Sequence, residues 1–127
     1  MKIIGNQHSD WLKFARDNKR IITASTATTS VDLQLVDRAT FFKITVAAST
    51  TLTFTNFPAA PLGEAFTFSL MTVNDATAGR SIAFGNTIRW SGGILPTRTT
   101  SANAVDIWTF FYENSILYGS LSIIDAK

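Results

Sequence analysis

The stretch Ser101-Ala102-Asn103-Ala104-Val105-Asp106-Ile107-Trp108-Thr109-Phe110-Phe111-Tyr112 decides how this chain is read. Its β-branched and aromatic residues make it a strand. Side chains alternate across a strand, so Val105, Ile107, Thr109 and Phe111 share one face, and Asp106, Trp108, Phe110 and Tyr112 the other. A half-exposed strand alternates apolar with polar residues, whereas here both faces are apolar. One face is expected in the chain's own core and the other against a second sheet or another subunit. The aromatic face, Trp108, Phe110 and Tyr112, is the candidate oligomer interface. The converse allocation, with Val105, Ile107 and Phe111 outward, stays open.

Outward from this strand, short runs of the same kind fill the chain. Ile116 to Ile124 forms its partner across Glu113-Asn114-Ser115. Upstream, Val31, Leu33 and Leu35 alternate with Asp32 and Gln34, and Phe42, Ile44 and Val46 alternate with Lys43 and Thr45. Leu52 and Phe54 alternate with threonines, and Phe66, Phe68 and Leu70 with Thr67, Ser69 and Met71. Ser81 to Phe84 and Thr87 to Trp90 read as brief strands around Gly85-Asn86. Such spacing predicts an all-β fold, an antiparallel β-sandwich of jelly-roll-like or Greek-key type over residues 21–127. No internal repeat is evident.

Residues 1–20 are different. Ser9 is placed to cap a short helix from Asp10 to about Asn18, with Lys19 and Arg20 just beyond its end. Trp11, Leu12, Phe14 and Ala15 give it an apolar stripe, with Arg16 beside them. Two turns of helix are not stable alone in water, so the segment must dock. It is either a lid on the chain's own sandwich or an N-terminal attachment arm inserted into a neighbour.

Composition narrows the function classes. Apolar residues make up 46% of 127 residues and charged residues 16%, with ten Phe and three Trp, a balance opposite to that of disorder. It suits a protein that hides surface in an assembly. With no cysteine, neither a disulfide framework nor a thiolate metal site is possible. A formal charge of +2 does not point to nucleic acid. No apolar run approaches the ~20 residues of a membrane helix. The N-terminus lacks a signal-peptide core, so synthesis in a cytoplasm is expected.

The residues offer little chemistry. His8 is the single histidine, which leaves a triad or His metal site without members. Asn74-Asp75-Ala76-Thr77 lacks the repeated carboxylates of a calcium loop, and the acids elsewhere sit at strand ends and turns. No catalytic residue, metal or cofactor is expected, and the chain is not read as an enzyme. Arg89 and Trp90, with the amides Asn86 and Asn74, are the candidate ligand-facing residues for a sugar, against the alternative that these aromatics are core.

One string carries a resemblance. Gly79-Arg80-Ser81-Ile82-Ala83-Phe84, Ile88-Arg89-Trp90-Ser91-Gly92-Gly93, Pro96-Thr97, Ala102 to Phe111 and Leu117-Tyr118-Gly119 together resemble the β-sandwich module of bacteriophage tail-fibre and other virion proteins. Thr51 to Asn56 matches as well, so the resemblance spans about residues 31–124. It implies a virion structural protein located on the tail or capsid surface. The implied role is a tail-fibre, tail-tip or baseplate subunit that takes part in host attachment or anchors the attachment apparatus. A capsid decoration or head-fibre protein and a free carbohydrate-binding module are the alternatives. The resemblance also implies a homotrimer, partners among other virion proteins and a host surface glycan. With only about thirty residues ahead of the module, a small stand-alone component is expected rather than a fibre shaft.

Overall fold

The computed structural model describes residues 19–33, 40–58 and 65–127. Within them lie eight strands: β1 (Lys19–Ala24), β2 (Thr28–Asp32), β3 (Phe41–Val46), β4 (Thr50–Thr55), β5 (Ala65–Asn74), β6 (Ile82–Phe84), β7 (Val105–Glu113) and β8 (Ile116–Ile123). The fold is all-β, with a single 3₁₀ turn at Ser91–Gly93 among the described residues. The helix expected over 10–18, with Trp11, Leu12, Phe14 and Arg16, lies outside the described residues. Lys19 and Arg20, assigned by sequence to the arm, open β1.

The sheets are mixed, which corrects the antiparallel expectation. One sheet has the order β1-β3-β5-β7-β8 and the other β2-β4-β6. β1, β3 and β5 pair in parallel, as do β2, β4 and β6, while β5–β7 and β7–β8 are antiparallel. The chain therefore coils: each odd strand passes to the next even strand in the other sheet and then returns one place further along. Turn chemistry explains the coil. A two-residue hairpin needs positive φ at both central positions, which favours Asn and Gly. The connectors Ser25-Thr26-Ala27 and Ala47-Ala48-Ser49 contain neither, and there the chain crosses to the other sheet instead of reversing. Asn114 and Ser115 do adopt φ of 50° and 61°, and there β7 reverses into β8.

Parallel stacking aligns equivalent residues. Ile22, Ile44 and Thr72 share one inward column, and Ala24, Val46 and Asn74 the next. The corners stack too, with Ala47 N–H donating to Ala24 O at 2.9 Å and Asp75 N–H to Val46 O at 3.2 Å. The inner faces of both sheets meet in one core. Phe54 of β4 lies 5.0 Å from Phe68 of β5 and 4.9 Å from Phe110 of β7, ring centre to ring centre. Phe84 of β6 lies 5.2 Å from Trp108. Aromatic pairs at these edge-on angles add about 0.5–1.5 kcal/mol each beyond the burial of their area.

Past β6 the chain leaves the three-stranded sheet as a strap. Arg89 bridges Tyr118 in parallel, its N–H donating to Leu117 O at 2.8 Å and its carbonyl accepting from Gly119 N–H at 3.1 Å. This short bridge replaces the strand expected over Thr87 to Trp90. It also lays Trp90 against Gly119, where a Cβ would sit 2.6 Å from the indole ring. Only glycine fits there, which couples the Arg-Trp and Tyr-Gly pairs into one unit.

Candidate interaction surfaces

The two faces of the five-stranded sheet are covered differently. Trp108 and Phe110 are 1% and 0% exposed, and Tyr112 is half-buried with its ring stacked on Phe57 at 4.5 Å. The face assigned by sequence to an oligomer contact is thus the chain's own core, which corrects that expectation. The reason is volume: Phe68 of β5 and Phe54 and Phe84 of the facing sheet already pack against these rings, with Phe42 behind Phe68. Trp108 completes its fit by donating its indole N–H to Thr72 Oγ1 at 3.3 Å.

The converse allocation is the observed one. Val105, Ile107, Thr109 and Phe111 point outward, and register extends this face across the sheet. Ile21, Lys43, Met71, Ile107 and Ile123 form one row, with Val73 and Val105 next to it. Ile21 is 65% exposed, Ile123 45% and Phe111 41%. Phe111 meets Tyr118 edge-on at 6.3 Å beside a shallow cavity of about 170 Å³. On β7 and β8 the hydroxyls between these patches are already partnered. Thr109 Oγ1 and Ser122 Oγ are 2.8 Å apart, and Ser120 Oγ and Ser122 Oγ 3.3 Å. Ile21, Met71, Tyr118 and Ile123 were missed by sequence because only strand order unites them. The available signal was Met71 and Val73 on the supposedly polar side of β5.

The four candidate ligand-facing residues do not form a site. Asn74 is buried, its amide N–H₂ donating to Thr99 O at 3.0 Å and Ser101 O at 2.8 Å, and its Oδ1 accepting from Arg98. Asn86 stands in for a strand residue, accepting from Phe54 N–H at 2.7 Å and donating to Phe54 O at 3.0 Å. Trp90 packs on Phe84, Trp108 and Phe110, so its ring is not a platform for a sugar. Arg89 alone of the four is exposed. Backbone groups, which have no sequence signature, captured both amides.

Asn74 belongs instead to a polar clamp that holds the loop 97–103 to the end of the sheet. Buried Asp106 accepts from Thr99 N–H at 2.7 Å and from Asp125 N–H at 2.8 Å, tying loop and C-terminal tail together. Arg98 reaches Asn74 and Arg80 O, and burial draws its guanidinium below its ordinary pKa while Asp106 offsets the effect. At the corner, the hydrogen bond from Arg80 Nε at 3.0 Å and that from Thr77 N–H hold the Asp75 carboxyl below its usual range. Apart from Arg98 Nε, which is buried without a hydrogen-bond partner, these groups satisfy one another, as a structural joint requires. Just ahead of this loop, Ile94 is 73% and Leu95 47% exposed. Among the described residues no three His, Cys, Asp or Glu side chains gather as metal ligands.

No family model, curated protein or solved structure matches this chain.

Proposed function

We propose that this chain is a structural subunit of a bacteriophage virion, placed at the tail fibre, tail tip or baseplate, where it takes part in host attachment or anchors the attachment apparatus. One observation carries the reading: the strand stack has two unlike ends. At one end β1 and β2 are the last strands of their sheets among the described residues, and the chain arrives there directly from residues 1–18. At the other, the β7–β8 hairpin and the strap at Arg89 close the stack. A coil with one extendable end and one closed end is suited to grow from, or fasten to, a larger body.

In this reading the two sheets pack as layers of a short sandwich, the segment 1–18 anchors it, and the closed end faces the host. Arg89, Ile94 and Leu95 are exposed groups of the strap that closes that end. The resemblance to virion modules supports the assignment, because its residues are those of the closing unit. Trp90, Trp108, Phe110 and Gly119 pack on one another, so the motif is a single physical device. Packing of the partly buried Trp90 ring against the core weighs against a free carbohydrate-binding module.

Immunogold electron microscopy of the phage particles, with antibody raised against this chain, tests the proposal. Label at the tail is the expected result. Label over the shell would replace attachment with capsid decoration, and particles without label would overturn the virion role.

A further inference from the structure

We infer that the outer face of the five-stranded sheet packs face to face, across a two-fold axis, against the same face of a second copy of this chain. Three observations point there. The first is area. Five strands ~4.8 Å apart, with lengths of six to ten residues at ~3.4 Å each, present roughly 600–800 Å². A stable interface uses about 800 Å² per partner. Sheets of this kind stack ~10 Å apart with interleaved side chains.

The second is that the hydroxyls on the β7–β8 part of the face are already partnered. The hydroxyls of Thr109, Ser120 and Ser122 already bond to one another. Unpartnered hydroxyls would resist desolvation, and these are satisfied before any partner arrives.

The third is charge. The outward cations lie on one side of the face, Lys19 on β1 and Lys43 on β3, and Glu113 lies on β7 towards the other. Lys43 is level with Ile107 and Glu113 with Ala65, so the two lie diagonally across β5 from each other, each one strand in from an edge. A two-fold contact is self-complementary: what one copy offers the other, it receives in return. The operation that lays the lysine side on the glutamate side sets Lys43 of each copy near Glu113 of the other. The same operation brings the apolar rows at Met71, Ile107 and Phe111 together between them. This pairing goes beyond the virion assignment, since immunogold labelling reads location and molecular mass reads pairing.

The test is sedimentation equilibrium of the full chain, alongside Lys43→Glu, Glu113→Lys and the double variant, with far-UV circular dichroism to show that each stays folded. The wild type should have the mass of two copies. Either single reversal should raise the dimer Kd at least about tenfold, and the double reversal should return it to within about threefold of wild type. A wild type that stays monomeric, a mass of three copies, or a double variant weaker than either single one would overturn the inference. The first of these would assign the face to another occupant, such as residues 10–18. Should a reversal unfold the chain, Met71→Lys on the same face gives a second reading, with loss of the dimer expected and an unchanged Kd contradictory.

Discussion

Strand β7 offers its own internal comparison, because Phe110 and Phe111 are neighbours in sequence and opposite in circumstance. Phe110 is fully buried among Phe54, Phe68, Phe84 and Trp90, whereas Phe111 is 41% exposed beside Tyr118. Apolar character alone does not say which of two such faces is the core. What separates them is supply from the rest of the chain. The inner face receives large rings from β3, β4, β5 and β6, and its one charge, Asp106, is met by two backbone N–H groups. The outer face receives nothing from the described residues and keeps its apolar rows at the surface. One face holds the fold together, and the other is available for assembly.

The comparison breaks most sharply at these two rings. Phe110→Ala should destabilise the fold by about 3–5 kcal/mol, read by chemical denaturation, because a fully buried ring leaves a cavity. Phe111→Ala should cost the fold less than about 1 kcal/mol, in keeping with a half-exposed side chain. Equal losses would erase the distinction between the faces.

Gly119→Ala probes the inner face from the other direction. Its Cβ would meet the Trp90 ring at 2.6 Å, so overpacking of about 1–3 kcal/mol is expected, with a change in the tryptophan fluorescence as Trp90 is displaced. A neutral effect would mean that the strap at Arg89 is not held against β8.

Asn86→Asp asks whether the amide truly serves as a strand residue. Aspartate keeps the acceptor for Phe54 N–H but loses the donor to Phe54 O, so a loss of about 1–2 kcal/mol in thermal or chemical unfolding is expected. Were Asn86 a ligand-facing residue, stability would not move.

The smallest effect concerns Asp75. Its folded pKa lies below the ordinary 3.8, chiefly through Arg80, so it contributes stability that is present above about pH 3.8 and is lost as pH falls through the lower folded value. Asp75→Asn should therefore flatten the acid limb of a stability–pH profile slightly and leave neutral stability nearly unchanged, since the group is solvent-screened. A large loss at neutral pH would contradict that placement.

Much of the fold was legible in the sequence, and the boundary between what was and was not is physical. Alternation located β3, β4, β5, β7 and β8, since period-two burial is a local property. Direction of pairing is not local, and the antiparallel expectation failed at β1 through β6. Two signals were nevertheless present. Asn114-Ser115 carries hairpin chemistry where Ser25 to Ala27 and Ala47 to Ser49 do not. Ile22-Thr23-Ala24 and Ile44-Thr45-Val46 are also two copies of one turn of the coil, a repeat obscured because the third turn changes to Thr72-Val73-Asn74. The candidate site was less legible. Asn74 and Asn86 have the look of ligand groups, yet each is held mainly by backbone, and backbone partners leave no trace in residue identity. The outer face was legible only on β7, where the outward allocation of Val105, Ile107 and Phe111 was one of two readings; Ile21, Met71 and Ile123 come from strands far apart in sequence that only the sheet order unites.

The claim that one sheet carries a folding face and an assembling face is tested most directly by measuring mass and melting temperature together on Phe111→Glu and the wild type. The account predicts a wild type of two copies and a variant of one copy, with the unfolding of the variant's single chain as cooperative as the wild type's under dissociating dilution. A wild type that is already monomeric at high concentration, or a variant that still pairs, would contradict it.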